Sequence, residues 1–589
     1  MFWAENVSLT GYAMAIFGKL FAQKAPKSEH PLGSEENLAA LLADMPVLDP
    51  TRTLQETGEW LDDFQRFAEE IDVRAMLRAA LRLDDLAFAA RQKLLERYFD
   101  SRHREHFSDM TWNDMERSAR RALLAYHYCM EAVVNNPPKE GLDDDYTRDL
   151  KLAAIRSLKA WSLRKKLLRF RYRGPEAADW RQLHAILSLA GRFGGATEAV
   201  LPYAEDADKL SPLQQYLVAV YLELAPLTNL AAEQIEVLDR LLAANANALE
   251  LLSAAGPGST DKIDIAGSSG PLPMDKPVAA NGQWRYLSRP RLRPAMTKLA
   301  MGLRQAPLVP ESLKTSGIGM DMLHRLINML LLHWAEAPPH RAAERRPGHD
   351  MLKAVTGFEL ARRVIAYSDF ARSGKSVDYE GTDYATLFER NRFGGRASLN
   401  ESEETPAQAT EKKIANPLDV LERLELAGDK QMMESWTLAD LSETGLGAIV
   451  PGLKTKYQIG SLVCLRYADG IEWHIGIVRR IGRDPAGNVS IGLATLDWPS
   501  SSAHVKPVDD NVSAWNAIEE VGHGYVDAIL VSSDSNQLVL PRGAFVAQLR
   551  LHLRSGDSLR QVCLAELVEA GSDFELVRFV PANYFLITQ

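Results

Sequence analysis

The hydrophobic pattern of this chain changes period once, and that change constrains its fold more than any other feature. From about residue 35 to 255, apolar residues recur at helical spacing; after Met433 they alternate. A period of 3.6 buries one stripe of a helix, and a period of two buries one face of a strand. The expectation is an α+β multidomain protein. A mostly α-helical N-terminal region precedes small antiparallel β-barrels, which leave no open sheet edge. A chain of 589 residues exceeds one core, so several domains are needed.

The expected boundaries follow the breaks in pattern. Residues 1–30 hold an amphipathic segment, with Tyr12, Ile16, Phe17, Leu20 and Phe21 at helical spacing. Residues 31–255 read as helix after helix, loosely like a helical repeat but without a strict period. "SEENLAALLADMP" opens with a serine cap and two acids. Residues 256–372 read as a second mostly helical region. "KIDIAG" suggests a short strand there, and "HDMLKAVTGFELARRVIAY" suggests a strand followed by a helix. Residues 373–430 are polar and aperiodic and read as a linker. Residues 431–506 and 507–589 read as two small β-rich domains. "ADGIE" and "RDPAGN" mark hairpins in the first of them.

Composition narrows the function classes. A net charge of −10 argues against broad nucleic-acid binding, which needs a positive surface. The three cysteines, Cys129, Cys464 and Cys563, form no framework, which fits a reducing cytoplasm. No apolar run is long enough to span a bilayer, so at most a weak membrane-surface contact through residues 1–30 is expected. No P-loop, nucleophile elbow, dinucleotide fingerprint or carboxylate pair appears, so no catalytic residue is assigned and no enzyme is expected. His103, His106, His127 and Cys129 lack a zinc spacing, so neither a metal nor a resident cofactor is expected.

The strand "WTLADLSETGLGAIVPG" carries Asp440, Ser442 and Gly445 as D-x-S-x-x-G. "IGSLVCLRY", "HIGIVRRIGR" and "VSIGLATL" follow it as three further strands. In that order they resemble PilZ domains, the bacterial cyclic di-GMP receptors. The resemblance covers Trp436 to about Leu496, with Leu493 and Ala494 as departures in the closing strand. It implies a PilZ-like barrel with cyclic di-GMP as a regulatory ligand. Asp440 would accept from a guanine N–H and Ser442 would bond a phosphate or base. Gly445 would allow close approach or a positive φ. The family adds two arginines spaced R-x-x-x-R just before the first barrel strand. A guanidinium suits phosphate and guanine edges because its planar fork bonds both in pairs. The twenty-odd residues before Asp440 hold no such pair, and the nearest match is Arg392 and Arg396. Arg479 and Arg480 alternate along a strand, so one of them lines the Ser442 face; Arg479 is the one assigned to the site.

Two basic clusters, "WSLRKKLLRFRYRG" and "WRYLSRPRLRP", read as solvated helix ends or as anion-binding patches. The reading is a cytoplasmic effector whose barrel senses cyclic di-GMP or is a degenerate sensor, while the helical region engages a partner protein. The alternative is an interaction scaffold with no nucleotide ligand.

Overall fold

The computed structural model describes residues 30–62, 64–100, 109–139, 141–206, 209–278, 281–314, 318–336, 344–372, 418, 421, 433–452, 457–484, 486–496, 499–508, 515, 525–532, 536–556 and 558–582. The chain divides into two compact units: Met1–Leu227 with Ala232–Pro339, and His340–Gln589 with Thr228–Ala231. A helical N-terminal region followed by antiparallel barrels is the α+β arrangement that the change of period implies.

Among the described residues, the first unit opens with the α-helices α1 (Glu35–Ala43), α2 (Pro50–Asp62), α3 (Val73–Phe99), α4 (Asp109–Asn135), α5 (Asp144–Phe170), α6 (Ala177–Arg192), α7 (Pro212–Glu223) and α8 (Ala232–Ala244). Ser34 caps α1, accepting from the Asn37 N–H at 3.2 Å. Asp143 caps α5 through the Tyr146 N–H at 2.8 Å, and Asp144 and Asp145 add charge at the same end. α5 is the spine, touching α3, α4, α6, α7 and α8. Its Leu150, Ala153, Ala154, Leu158, Trp161 and Leu167 are all buried.

A polar knot lies inside these helices. Asp84 is fully buried and accepts from Arg91 at 2.7 Å, Tyr126 at 2.8 Å and Tyr203 at 2.6 Å. Burial alone would raise its pKa, but the Arg91 and Arg156 charges outweigh that and hold the carboxyl below its ordinary value. Arg156 donates to the Leu81 carbonyl, the Pro202 carbonyl and Asp85, and stacks on Tyr203. A charge buried this deeply is tolerable only when so many partners meet it.

Beyond α8, a small sheet of β1 (Asp261–Asp264), β2 (Leu272–Pro273) and β3 (Trp284–Leu287) includes the strand expected at "KIDIAG". Helices α9 (Arg293–Gln305) and α10 (Met320–His333) complete the unit. Among the described residues, no helix is long and apolar enough to cross a membrane.

The second unit opens with β4 (Arg346–Pro347), β5 (Met351–Thr356) and α11 (Phe358–Arg372). Then come β6 (Glu434–Ser442), β7 (Gly445–Val450), β8 (Leu462–Tyr467), β9 (His474–Arg483) and β10 (Val489–Thr495). Strands β6, β5, β8, β9, β10 and β7 form a ring, closed by β7 pairing with β6. The first barrel therefore takes its opening strand from before α11, and everything from α11 to residue 433 interrupts it. β11 (Ser501–Pro507), β12 (Val526–Ser532), β13 (Gln537–Pro541), β14 (Arg550–Ser555), β15 (Ser558–Ala570) and β16 (Phe574–Pro581) close the second barrel. The strand at 501–507 pairs with β12 and β14, so the second barrel begins there and not at residue 507.

One apolar cluster joins α11 and both barrels. Phe358, Ala361, Val364 and Ile365 pack with Cys464, Ile475 and Ile477 of the first barrel and with Ile529, Val531 and Phe574 of the second. Each fully buried Val, Ile or Phe among them contributes roughly 1.5–3 kcal/mol. Polar bonds fix the register of the joint. Asp573 accepts from the Phe358 N–H at the start of α11, at 2.6 Å. Asp369 accepts from the Ser502 N–H at 2.6 Å, and Arg362 pairs with Asp527.

Candidate functional site

The D-x-S-x-x-G residues form a tight hairpin. Ser442 closes β6, Gly445 opens β7, and the two pair directly. The Ser442 hydroxyl donates to the Gly445 carbonyl at 3.1 Å. Gly445 does not take a positive φ. It is required for close approach instead, because a Cβ there would come 2.7 Å from the Leu493 carbonyl oxygen.

Cross-strand register sets out the surface around the hairpin. Arg480 on β9 faces Gly492 on β10, Gly492 faces Gly447 on β7, Gly447 faces Asp440 on β6, and Asp440 faces Pro347 on β4. Residues directly opposite in antiparallel strands share a face, so this row points outward, away from the buried Leu438, Leu446, Ala448, Ile491 and Leu493. One flanking row runs Ala494, Gly445, Ser442, and the other runs Ser490, Ile449, Thr437, Met351. Ile449 and Met351 are 47% and 50% exposed, an apolar ledge beside the glycines. The floor is bare backbone at Gly445, Gly447 and Gly492. A Cβ on Gly447 would come 2.7 Å from the Asp440 carboxylate, and one on Gly492 would come 3.3 Å from the Arg480 Cβ. The result is a shallow trough with a side chain leaning over each end of its floor.

The Asp440 wall carries a cation. Arg345 Nη1 donates to Asp440 Oδ1 at 2.6 Å, and both side chains are about two-thirds covered. A guanidinium has five N–H donors, so this bond leaves others to meet a ligand. Arg345 ends an R-x-x-x-R that begins at Arg341, immediately before β4 and β5. Arg341 lies outside the described residues. The sequence reading missed this pair because it searched shortly before Asp440, and the interruption after β5 places Arg345 95 residues upstream. The available signal was the R-x-x-x-R itself, followed by the strand within "HDMLKAVTGF".

Of the other residues assigned from sequence, Asp440, Ser442 and Gly445 come together on this face. Arg392 and Arg396 lie outside the described residues. Arg479 points to the second barrel, where Nη1 and Nη2 each donate to Glu569 at 2.6 Å. A β-bulge is the cause. The β9–β10 register shifts between Gly492 and Leu493, leaving Arg479 unpaired and turning Arg480 onto the trough.

The basic run on α5 is not an open patch. Arg164 pairs with Glu116, Lys165 with Asp179, Lys166 with Glu236 and Asp239, and Arg169 with Glu223. Arg171 pairs with Asp109 and covers the Trp112 ring. In the second cluster, Arg289 pairs with Asp261 and Arg291 with Glu250. These cations tie secondary-structure elements to one another. His127 pairs with Glu131, and Cys129 is buried with its thiol pKa pushed up by burial. His103 and His106 lie outside the described residues.

Residues 36–256 match the family model described as the N-terminal domain of the cyclic-di-GMP receptor FimW. That stretch is the helical region up to the loop after α8, somewhat over a third of the chain. A comparison with curated proteins finds no significant match. The matched segment contains no residue of the trough.

Proposed function

We propose that this chain is a non-enzymatic cyclic di-GMP effector of the bacterial cytoplasm. Its first C-terminal barrel, of PilZ type, takes the dinucleotide, and its helical region engages a partner protein. The ligand contacts are Arg345, Asp440, Ser442 and the backbone at Gly445. The observation that carries the reading is the Arg345–Asp440 bond, which joins the second arginine of an R-x-x-x-R to a D-x-S-x-x-G hairpin. The match to a cyclic-di-GMP receptor family in the helical region supports it. The ligand's chemistry suits the trough: phosphates for the guanidinium, guanine edges for Asp440, and a flat ring for bare backbone and the Ile449–Met351 ledge.

Isothermal titration of the full-length protein with cyclic di-GMP tests this. Wild type binds. Arg345→Ala removes a charge-assisted contact worth about 1.5–3 kcal/mol, which is roughly a 10- to 150-fold weakening. The double variant Arg392→Ala/Arg396→Ala asks whether the second R-x-x-x-R contributes as well. Absence of wild-type binding would falsify the reading and leave the scaffold alternative.

A further inference from the structure

We infer that Arg480 is a second anchor for the same ligand, holding it from the side of the trough opposite Arg345. The inference rests on the functional reading above and adds a residue and a selectivity to it.

The argument begins with register. Arg480, Gly492, Gly447 and Asp440 stand in one row across four strands on one outward face. Gly492 faces outward yet is buried, because the Arg480 side chain lies along it; its Nε would be 3.5 Å from a Cβ built there. Arg480 therefore leans over the glycine floor, as Asp440 does over Gly447 from the other end. Any residue larger than glycine at 447 or 492 would fill the space between them.

Pairing separates Arg480 from its neighbour. Arg479 is fully committed to Glu569. Arg480 has no hydrogen bond or ion pair with the described residues, although the floor beneath it gives it no freedom to extend inward. A guanidinium laid against bare backbone with all its donors unspent is poised for an anion or a purine edge. The bulge at Arg479 makes this arrangement, since without it the two arginines would exchange faces.

The spacing then constrains the ligand. From β6 to β9 there are three interstrand gaps, about 14 Å in all. Arg345, held by Asp440 on β6, and Arg480 on β9 meet a ligand from opposite sides, and one with two anionic groups can occupy both cations at once.

Titrations of full-length wild type, Arg480→Ala, Arg480→Lys and Arg479→Ala with cyclic di-GMP and with GMP decide the matter. Arg480→Ala is expected to weaken cyclic di-GMP binding by roughly 10- to 100-fold. Arg480→Lys recovers part of that loss, because the charge returns without the planar fork. Arg479→Ala stays within about twofold of wild type. The ratio of cyclic di-GMP to GMP affinity falls in Arg480→Ala, a change that loss of general stability would not produce. If wild type binds and Arg480→Ala binds equally well, this inference fails and the functional reading stands. If wild type does not bind, both fail.

Discussion

Helix α5 and the outer face of the first barrel are both rich in arginine and lysine, and they use them in opposite ways. On α5 and at its C-terminal cap, Arg164, Lys165, Lys166, Arg169 and Arg171 each meet an acid from another helix or, for Asp109, from the start of one. On the barrel, Arg345 shares one carboxylate and Arg480 meets none among the described residues. A run of basic residues in sequence signals neither case, because the acids that quench it arrive from elsewhere in the chain. Whether a cation is structural or recognitive depends on whether the fold has already satisfied it.

That contrast makes predictions of graded size. The largest effect is expected at Lys166, whose ammonium is buried between Glu236 and Asp239. Lys166→Ala strips Asp239 of the Lys166 cation and leaves Glu236 with Arg240, and urea unfolding should show about 3 kcal/mol of lost stability. Arg164→Ala breaks a single, partly covered pair with Glu116 and should cost about 1 kcal/mol by the same measurement. Arg480→Ala should change stability by less than about 0.5 kcal/mol, since nothing in the described fold depends on it. A large loss at Arg480 would mean that its charge is structural after all, and the contrast would collapse.

A pH titration sharpens the same comparison. His184 on α6 is buried beside the Tyr216 hydroxyl, and burial lowers its pKa from 6.5 to about 4. Between those values the unfolded chain binds a proton that the folded chain does not. The folded state therefore loses stability as pH falls from about 6.5 to about 4. Glu236 acts lower on the scale. Burial would raise its pKa, but Lys166 and Arg240 hold it below 4.5, so its contribution is lost on acidification below that value. Thermal melts across pH 4–7 should show the slope, and His184→Gln should flatten its upper part.

Much of the fold was legible because local signals agreed with it. The helix cap at Ser34, the strand at "KIDIAG" and the hairpin at Ser442–Gly445 all follow from short-range chemistry. The site was legible only on the D-x-S-x-x-G side. Arg345 was hidden because strand pairing is non-local: β5 meets β6 across an insertion, and proximity in sequence is no guide to such a contact. Arg480 was passed over for Arg479 because alternation along a strand fails at a bulge, and a bulge leaves no reliable mark in a single sequence. The strand at 501–507 was missed because "SSAHVKP" has only Ala503 and Val505 to mark its buried face.

The insertion between β5 and β6 also bears on how the chain is made. During synthesis β5 leaves the ribosome well before its partner β6, with all of α11 and residues 373–433 still to be translated. At roughly 5–20 residues per second, that strand waits for several seconds with its edges unpaired. The barrel face of α11 waits longer, because Ile529 and Phe574 are among the last buried residues to emerge. A nascent chain stalled in this interval exposes an apolar helix and an open strand together, the kind of surface that holdase chaperones capture. Ribosome-bound intermediates truncated between residues 372 and 434 are where such capture should be sought.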